Sequence, residues 1–147
     1  MKRFVKCICL FLVLVMALTT TAFAAESVMP RASNYFMRYT AYLYQVTSTK
    51  FEVWFSVSAV EGMDELGVRT LKVQRSSDGT DWTTMKTFTR EDYPELICED
   101  TSMHSTCVSY TGTRGYYYRA YVEFYAKNSS GTGIYTYYTA AIQLPKS

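Results

Sequence analysis

The chain is poor in the residues and patterns that most enzymes and helical proteins depend on. It has one histidine, His104, which leaves a single imidazole for base catalysis, proton shuttling or metal ligation. Neither Gly-x-Ser-x-Gly nor His-Glu-x-x-His occurs, which removes the nucleophile elbow and the helical zinc-protease motif. No Asp-x-Asp-x-Asp-Gly spacing is present, so the usual calcium loop is excluded. No window sustains an apolar period of 3.6 residues, and only Tyr93 to Asp100 reads as a weak helical turn. The one long apolar run, Cys7 to Leu18, is too short for a stable bilayer-spanning helix.

That run has the form of a leader. Lys2, Arg3 and Lys6 precede it, and Ala22-Phe23-Ala24 comes after it with small residues at the positions a signal peptidase reads. We expect a cleaved signal peptide over 1–24, cut after Ala24 or Ala25, a short linker over 25–34 and a single domain over 35–147. Without the leader the chain carries twelve basic and thirteen acidic residues, a net charge of −1. The basicity of the whole chain therefore gives no reason to expect nucleic acid or anionic lipid as a partner. Cys7 and Cys9 go with the leader, leaving Cys98 and Cys107. In an oxidising, extracellular compartment that pair is expected to form a disulfide. The C-terminus, Leu144-Pro145-Lys146-Ser147, offers no hydrophobic tail, so no membrane anchor is expected after cleavage.

What is abundant is tyrosine. All fourteen lie after the leader, among the Val, Thr, Phe and Trp that suit a half-buried pleated surface. Strands are expected over Tyr35–Val46, Lys50–Val60, Val68–Arg75, Trp82–Phe88, Val108–Thr111, Tyr116–Lys127 and Ile134–Leu144. Gly62 and Gly67 are expected to bracket a loop, Asp78-Gly79 to close a hairpin, and Thr89 to Thr106 to be irregular. Asn128-Ser129-Ser130-Gly131 should turn the last pair; it also has the form of a glycosylation acceptor, though turn chemistry accounts for it. Seven short strands with frequent turns predict an all-β, seven-stranded antiparallel β-sandwich.

The stretch Tyr118 to Gly131 (YRAYVEFYAKNSSG) resembles the last hairpin of a fibronectin type III domain, with Tyr116 or Tyr118 at the tyrosine-corner position. The mature chain also resembles small secreted sandwich proteins of Gram-positive bacteria, fibronectin type III-like or immunoglobulin-like. That resemblance rests on Ala32-Ser33-x-Tyr35-Phe36, Met63-Asp64-x-Leu66-Gly67, Asp81-Trp82-x-x-Met85-Lys86-Thr87-Phe88 and Tyr110-x-Gly112-x-x-Gly115-x-Tyr117-Tyr118-x-Ala120. It implies a fold and an extracellular address, and no activity.

On Tyr116–Lys127 the even positions Tyr118, Ala120, Val122, Phe124 and Ala126 are expected inward and the odd positions outward. On the next strand Ile134, Tyr138, Ala140, Ile142 and Leu144 are expected inward, leaving Tyr135 and Tyr137 outward. The candidate binding face is then Tyr117, Arg119, Tyr121, Tyr125, Tyr135 and Tyr137, with Lys72 and Gln74 beside it if the third strand is adjacent. Tyrosine offers a stiff contact area with a hydrogen-bonding tip, suited to protein or sugar surfaces. The expectation is a secreted, non-enzymatic binding module for an extracellular protein or glycan, with self-association a further use of the same face. No cofactor, metal or catalytic residue is expected. The alternatives are a secreted antibacterial or host-directed effector and, third, a small hydrolase using loop carboxylates such as Asp64, Glu65, Asp92, Glu95, Glu99 and Asp100.

Overall fold

The computed structural model describes residues 34–146. The expected leader and all of the expected linker but Asn34 lie outside the described residues. Within them the chain is all-β and antiparallel: β1 Phe36–Gln45, β2 Lys50–Ser76, β3 Thr83–Thr89, β4 Ile97–Thr111, β5 Tyr117–Asn128, β6 Gly131–Tyr138 and β7 Ile142–Gln143. The weak helical turn contracts to a single 3₁₀ turn, Pro94–Leu96. The stretch expected to be irregular is already strand from Ile97 onward.

β2 organises everything else. It runs for 27 residues through the segment bracketed by Gly62 and Gly67, so the second and third expected strands are one, and no loop divides them. Its early part pairs with β1 on one side and β4 on the other. Its later part pairs with β3 and β5, and β5 carries β6 and β7. Two irregularities explain why the segment reads as broken. Buried positions are odd from Phe51 to Ala59 and at Met63, even at Leu66 and Val68, and odd again at Leu71 and Val73. The first change of phase falls between Met63 and Leu66, just after the register shift between Ser58 and Met63, and the second at the shift between Val68 and Thr70. An inserted residue reverses the faces of the residues after it, so strict alternation fails although the strand continues.

The early part of β2 meets β5, the neighbour of its later part, across the core. Phe55 meets Phe124 edge-on at 6.4 Å between ring centroids, and Phe51 lies 5.0 Å from Tyr118. Tyr39 of β1 reaches Phe124 at 5.5 Å. The inward set expected on β5 is buried throughout: Tyr118, Ala120, Val122, Phe124 and Ala126. Each large apolar side chain removed from water contributes about 1.5–3 kcal/mol, so the alternation itself specifies the fold.

Tyr118 adds a polar constraint within this core. Its hydroxyl accepts from the Thr113 N–H at 2.7 Å and donates to the Thr113 carbonyl at 3.4 Å. These bonds tie the start of β5 to the backbone just before it, the hydrogen-bond pattern expected of a residue at the tyrosine-corner position. Gly112 leaves the space it needs, since a Cβ there would lie 2.7 Å from Tyr118 Cζ.

The expected disulfide is not formed: Cys98 and Cys107 are both free. Both lie on β4, opposite Leu66 and Trp54 of β2. Nine residues of strand separate them by roughly 30 Å at about 3.3 Å per residue, whereas a disulfide needs Cα atoms about 4.4–6.8 Å apart. Their closeness in sequence suggested a small loop; an extended strand keeps them apart. Burial, with the Glu52 carboxylate nearby, pushes the Cys107 thiol up from its ordinary value.

Candidate functional site

The outer face of the β3–β2–β5–β6 sheet gathers the aromatic and charged side chains. Its construction starts at the turn after β2. Asp78 accepts hydrogen bonds from Ser76 Oγ at 2.7 Å, Thr80 N at 2.9 Å and Asp81 N at 3.1 Å. Those donors hold its carboxyl well below the usual range. Gly79 takes a φ of 83°, which a residue without Cβ adopts without strain. The turn delivers Trp82 and β3 alongside the end of β2.

Trp82 then lies against Arg119 of β5. The guanidinium sits 4.3 Å from the Trp82 ring and 4.7 Å from the Tyr138 ring, and Arg119 Nε donates to Gln74 Oε1 at 2.8 Å. Tyr138 meets Tyr121 edge-on at 5.3 Å. Lys72 Nζ lies 5.2 Å from the Tyr121 ring centre. The Tyr121 hydroxyl donates to Glu123 Oε2 at 3.3 Å, and Arg69 Nε donates to Glu123 Oε1 at 2.6 Å. Each contact fixes a long side chain that would otherwise lose rotamer freedom on binding. The face is therefore pre-ordered, yet Tyr138 remains 50% exposed.

Of the expected face, Tyr117, Arg119, Tyr121 and Tyr125 alternate with the buried positions of β5 and are half-buried. Lys72 and Gln74 stand beside them, opposite Tyr121 and Arg119 in the ladder. Tyr135 and Tyr137 do not join them. Both pack against the core, Tyr135 with its ring 4.2 Å from Tyr39 and Tyr137 6.4 Å from Phe124. Conversely Ile134 and Tyr138, expected inward, are exposed, as is Ala140. The hairpin sets this parity. Asn128 pairs with Gly131, which places Gly133 opposite Ala126, Tyr135 opposite Phe124 and Tyr137 opposite Val122, and paired residues share a face. The irregular stretch between β6 and β7 then restores Leu144 to the interior. Trp82 and Tyr138 are the members that sequence reasoning missed; counting outward from a two-residue turn would have found Tyr138.

Burial and the neighbouring Tyr135 hydroxyl push Tyr39 up to about 12. His104 is half-buried, with Nε2 donating to the Glu95 carbonyl at 2.9 Å.

Beside the aromatic face, an open groove of about 430 Å³ is lined by Glu65, Arg69, Thr70, Thr89, Arg90, Glu91, Ile97 and Tyr125. Of the loop carboxylates weighed as catalytic candidates, only Glu65 reaches it. Glu65 is held by Arg90 at 2.9 Å and Lys127 at 3.5 Å, and Arg90 also bridges Glu99 at 2.9 Å. Hydrogen bonds from Thr89 and the backbone hold the Glu91 carboxyl below its ordinary value. Among the described residues no group of three or more His, Cys, Asp or Glu side chains could hold a metal ion. Compared with known proteins, the chain matches no family model and no curated protein.

Proposed function

We propose that the protein is a secreted, non-enzymatic binding module, built as a fibronectin type III-like or immunoglobulin-like sandwich, that engages an extracellular protein or glycan through its aromatic outer face. The observation that carries this reading is the stack of Arg119 between Trp82 and Tyr138. Stacked arginine and half-exposed tyrosine and tryptophan supply large contact area with little further ordering, the chemistry of interaction hot spots.

Three features support the rest of the reading. The tyrosine corner at Tyr118 suits a sandwich of this kind. The Lys2-to-Ala24 pattern suits export. The groove carboxylates are poor material for a hydrolase, which needs one carboxyl protonated near neutral pH. Glu91 is shifted the other way, and Glu65 is shared between two cations.

The test is co-sedimentation of purified protein with insoluble cell-envelope material, together with capture on immobilised extracellular-matrix protein. Replacing Trp82, Tyr121 and Tyr138 by Ser should abolish retention while circular dichroism stays that of the parent. Retention by the folded triple variant would remove this face from consideration. Sedimentation equilibrium of both proteins tells whether a second copy occupies the face instead.

A further inference from the structure

We infer that the groove beside Tyr125 is a subsite for a neutral oligosaccharide. This deepens the binding-module reading and rests on it, by assigning one ligand class to one place.

The groove has a structural cause. On its edge of β2, β3 ends opposite Thr70 and β4 begins opposite Gly67, so a gap opens between the two neighbours. The row crossing the sheet there reads Ile97, Gly67, Tyr125, Ile134, with no side chain at its second position. Gly67 is obligatory, because a Cβ would lie 2.1 Å from the Leu96 carbonyl oxygen. Next to it, Arg69 is the extra residue of the bulge between Val68 and Thr70. Val68 and Leu71 are both buried, so Arg69 and Thr70 are two consecutive residues turned away from the core, and both line the groove. Bulges are common where a side chain has to be re-aimed at a site.

The lining matches a sugar better than an ion or an apolar ligand. Two arginines stand against two glutamates. Arg69 is paired with Glu123, and Arg90 with Glu65 and Glu99, and Glu91 is held by hydrogen bonds from Thr89 and the backbone, so the two arginines call for no anionic ligand. The same ion pairs fix donors and acceptors side by side; the Thr70 hydroxyl can donate and accept, and the Thr89 hydroxyl, which donates to Glu91, can still accept. A sugar hydroxyl also donates and accepts, so it can satisfy both partners of a pair. The half-buried Tyr125 ring, beside Ile97, offers a stacking surface for the C–H face of a pyranose. The volume falls within the about 300–1,000 Å³ of small-molecule sites.

The experiment titrates a panel of neutral hexasaccharides, chitohexaose, maltohexaose and cellohexaose, into isotopically labelled purified protein, with a sulfated hexasaccharide as the charged comparison. Saturable shifts are expected for at least one neutral member, centred on the amides of Thr70, Thr89, Ile97 and Tyr125, and weaker shifts for the sulfated one. Tyr125→Ala should lower affinity about tenfold, whereas Tyr125→Phe, which keeps the ring, should retain it. Should Tyr125→Ala fail to fold, Arg69→Ala is the second variant, and an unchanged affinity in that protein overturns the inference. Absence of saturable binding to every neutral hexasaccharide overturns it too, while leaving protein capture by the aromatic face intact. Sugar binding lost in the Trp82, Tyr121 and Tyr138 triple variant but kept in Tyr125→Ala would place the ligand on the face and overturn the groove assignment alone.

Discussion

The two parts of β2 share an inner chemistry and differ sharply outside. The first buries Phe and Val and the second Leu and Val, and both pair in antiparallel ladders. Outside the first part, the rows are Thr40–Ser56–Ser105, Arg38–Ser58–Met103 and Tyr42–Trp54–Cys107. Serine and threonine stand there beside exposed Tyr42, Tyr44 and Met103, and Trp54 Nε1 is satisfied locally by Glu52 Oε2 at 2.9 Å. Outside the second part, Arg119, Tyr121, Tyr138, Trp82, Lys72 and Glu123 interlock. Among the described residues, three cation–π contacts lie on this face, Lys72 on Tyr121 and Arg119 on Trp82 and Tyr138. The first region carries exposed aromatics as well, Tyr42 and Tyr44, without such a cluster. In the proposed function, recognition supplies the reason for the interlocked face.

The shared interior is where the comparison breaks most readily. Phe124 is fully buried and touches Phe55, Tyr39 and Tyr137, so it joins both regions. Phe124→Ala should cost about 3–5 kcal/mol, read by urea unfolding. One cooperative transition is expected in the parent, and separate transitions for the two regions would contradict a common core. The outer faces should then separate in smaller steps. Arg119→Ala removes two ring contacts and a bond to Gln74, and should cost about 1 kcal/mol. Tyr42→Ala, on the other face and 52% exposed, should change stability by no more than about 0.5 kcal/mol. Equal losses at the two positions would erase the distinction.

A different kind of effect is a titration at the seam. Tyr39 is pushed up to about 12 from an unfolded value near 10. A raised acid favours the folded state fully below pH 10, and that contribution is lost as pH climbs from about 10 to about 12. Thermal unfolding across this window should show a decline that Tyr39→Phe diminishes, with tyrosinate absorbance reporting the late ionisation.

Sequence pattern carried the all-β class and much of the face, for reasons visible in particular residues. β5 is regular, so its parity could be read directly, and Tyr117, Arg119, Tyr121 and Tyr125 came with it. β6 has glycines at 131 and 133 and mixed apolar residues on both sides. Its aliphatics suggested one parity, while the hairpin register imposes the other and turns Tyr135 and Tyr137 inward. The Gly62–Gly67 segment looked like a loop because phase shifts destroy alternation without ending a strand. Cys98 and Cys107 looked like a staple because spacing in sequence carries no direction in space. Trp82 escaped notice because its stacking partner lies 37 residues away in the chain.

The most direct test sets the two outer faces against each other in one binding assay. A folded Trp82→Ser, Tyr121→Ser, Tyr138→Ser protein and a folded Tyr42→Ser, Trp54→Ser protein would be compared with the parent for retention on cell-envelope material and extracellular-matrix protein. The account predicts that the first loses retention and the second keeps it. Retention by the first variant, or loss by the second alone, would contradict it.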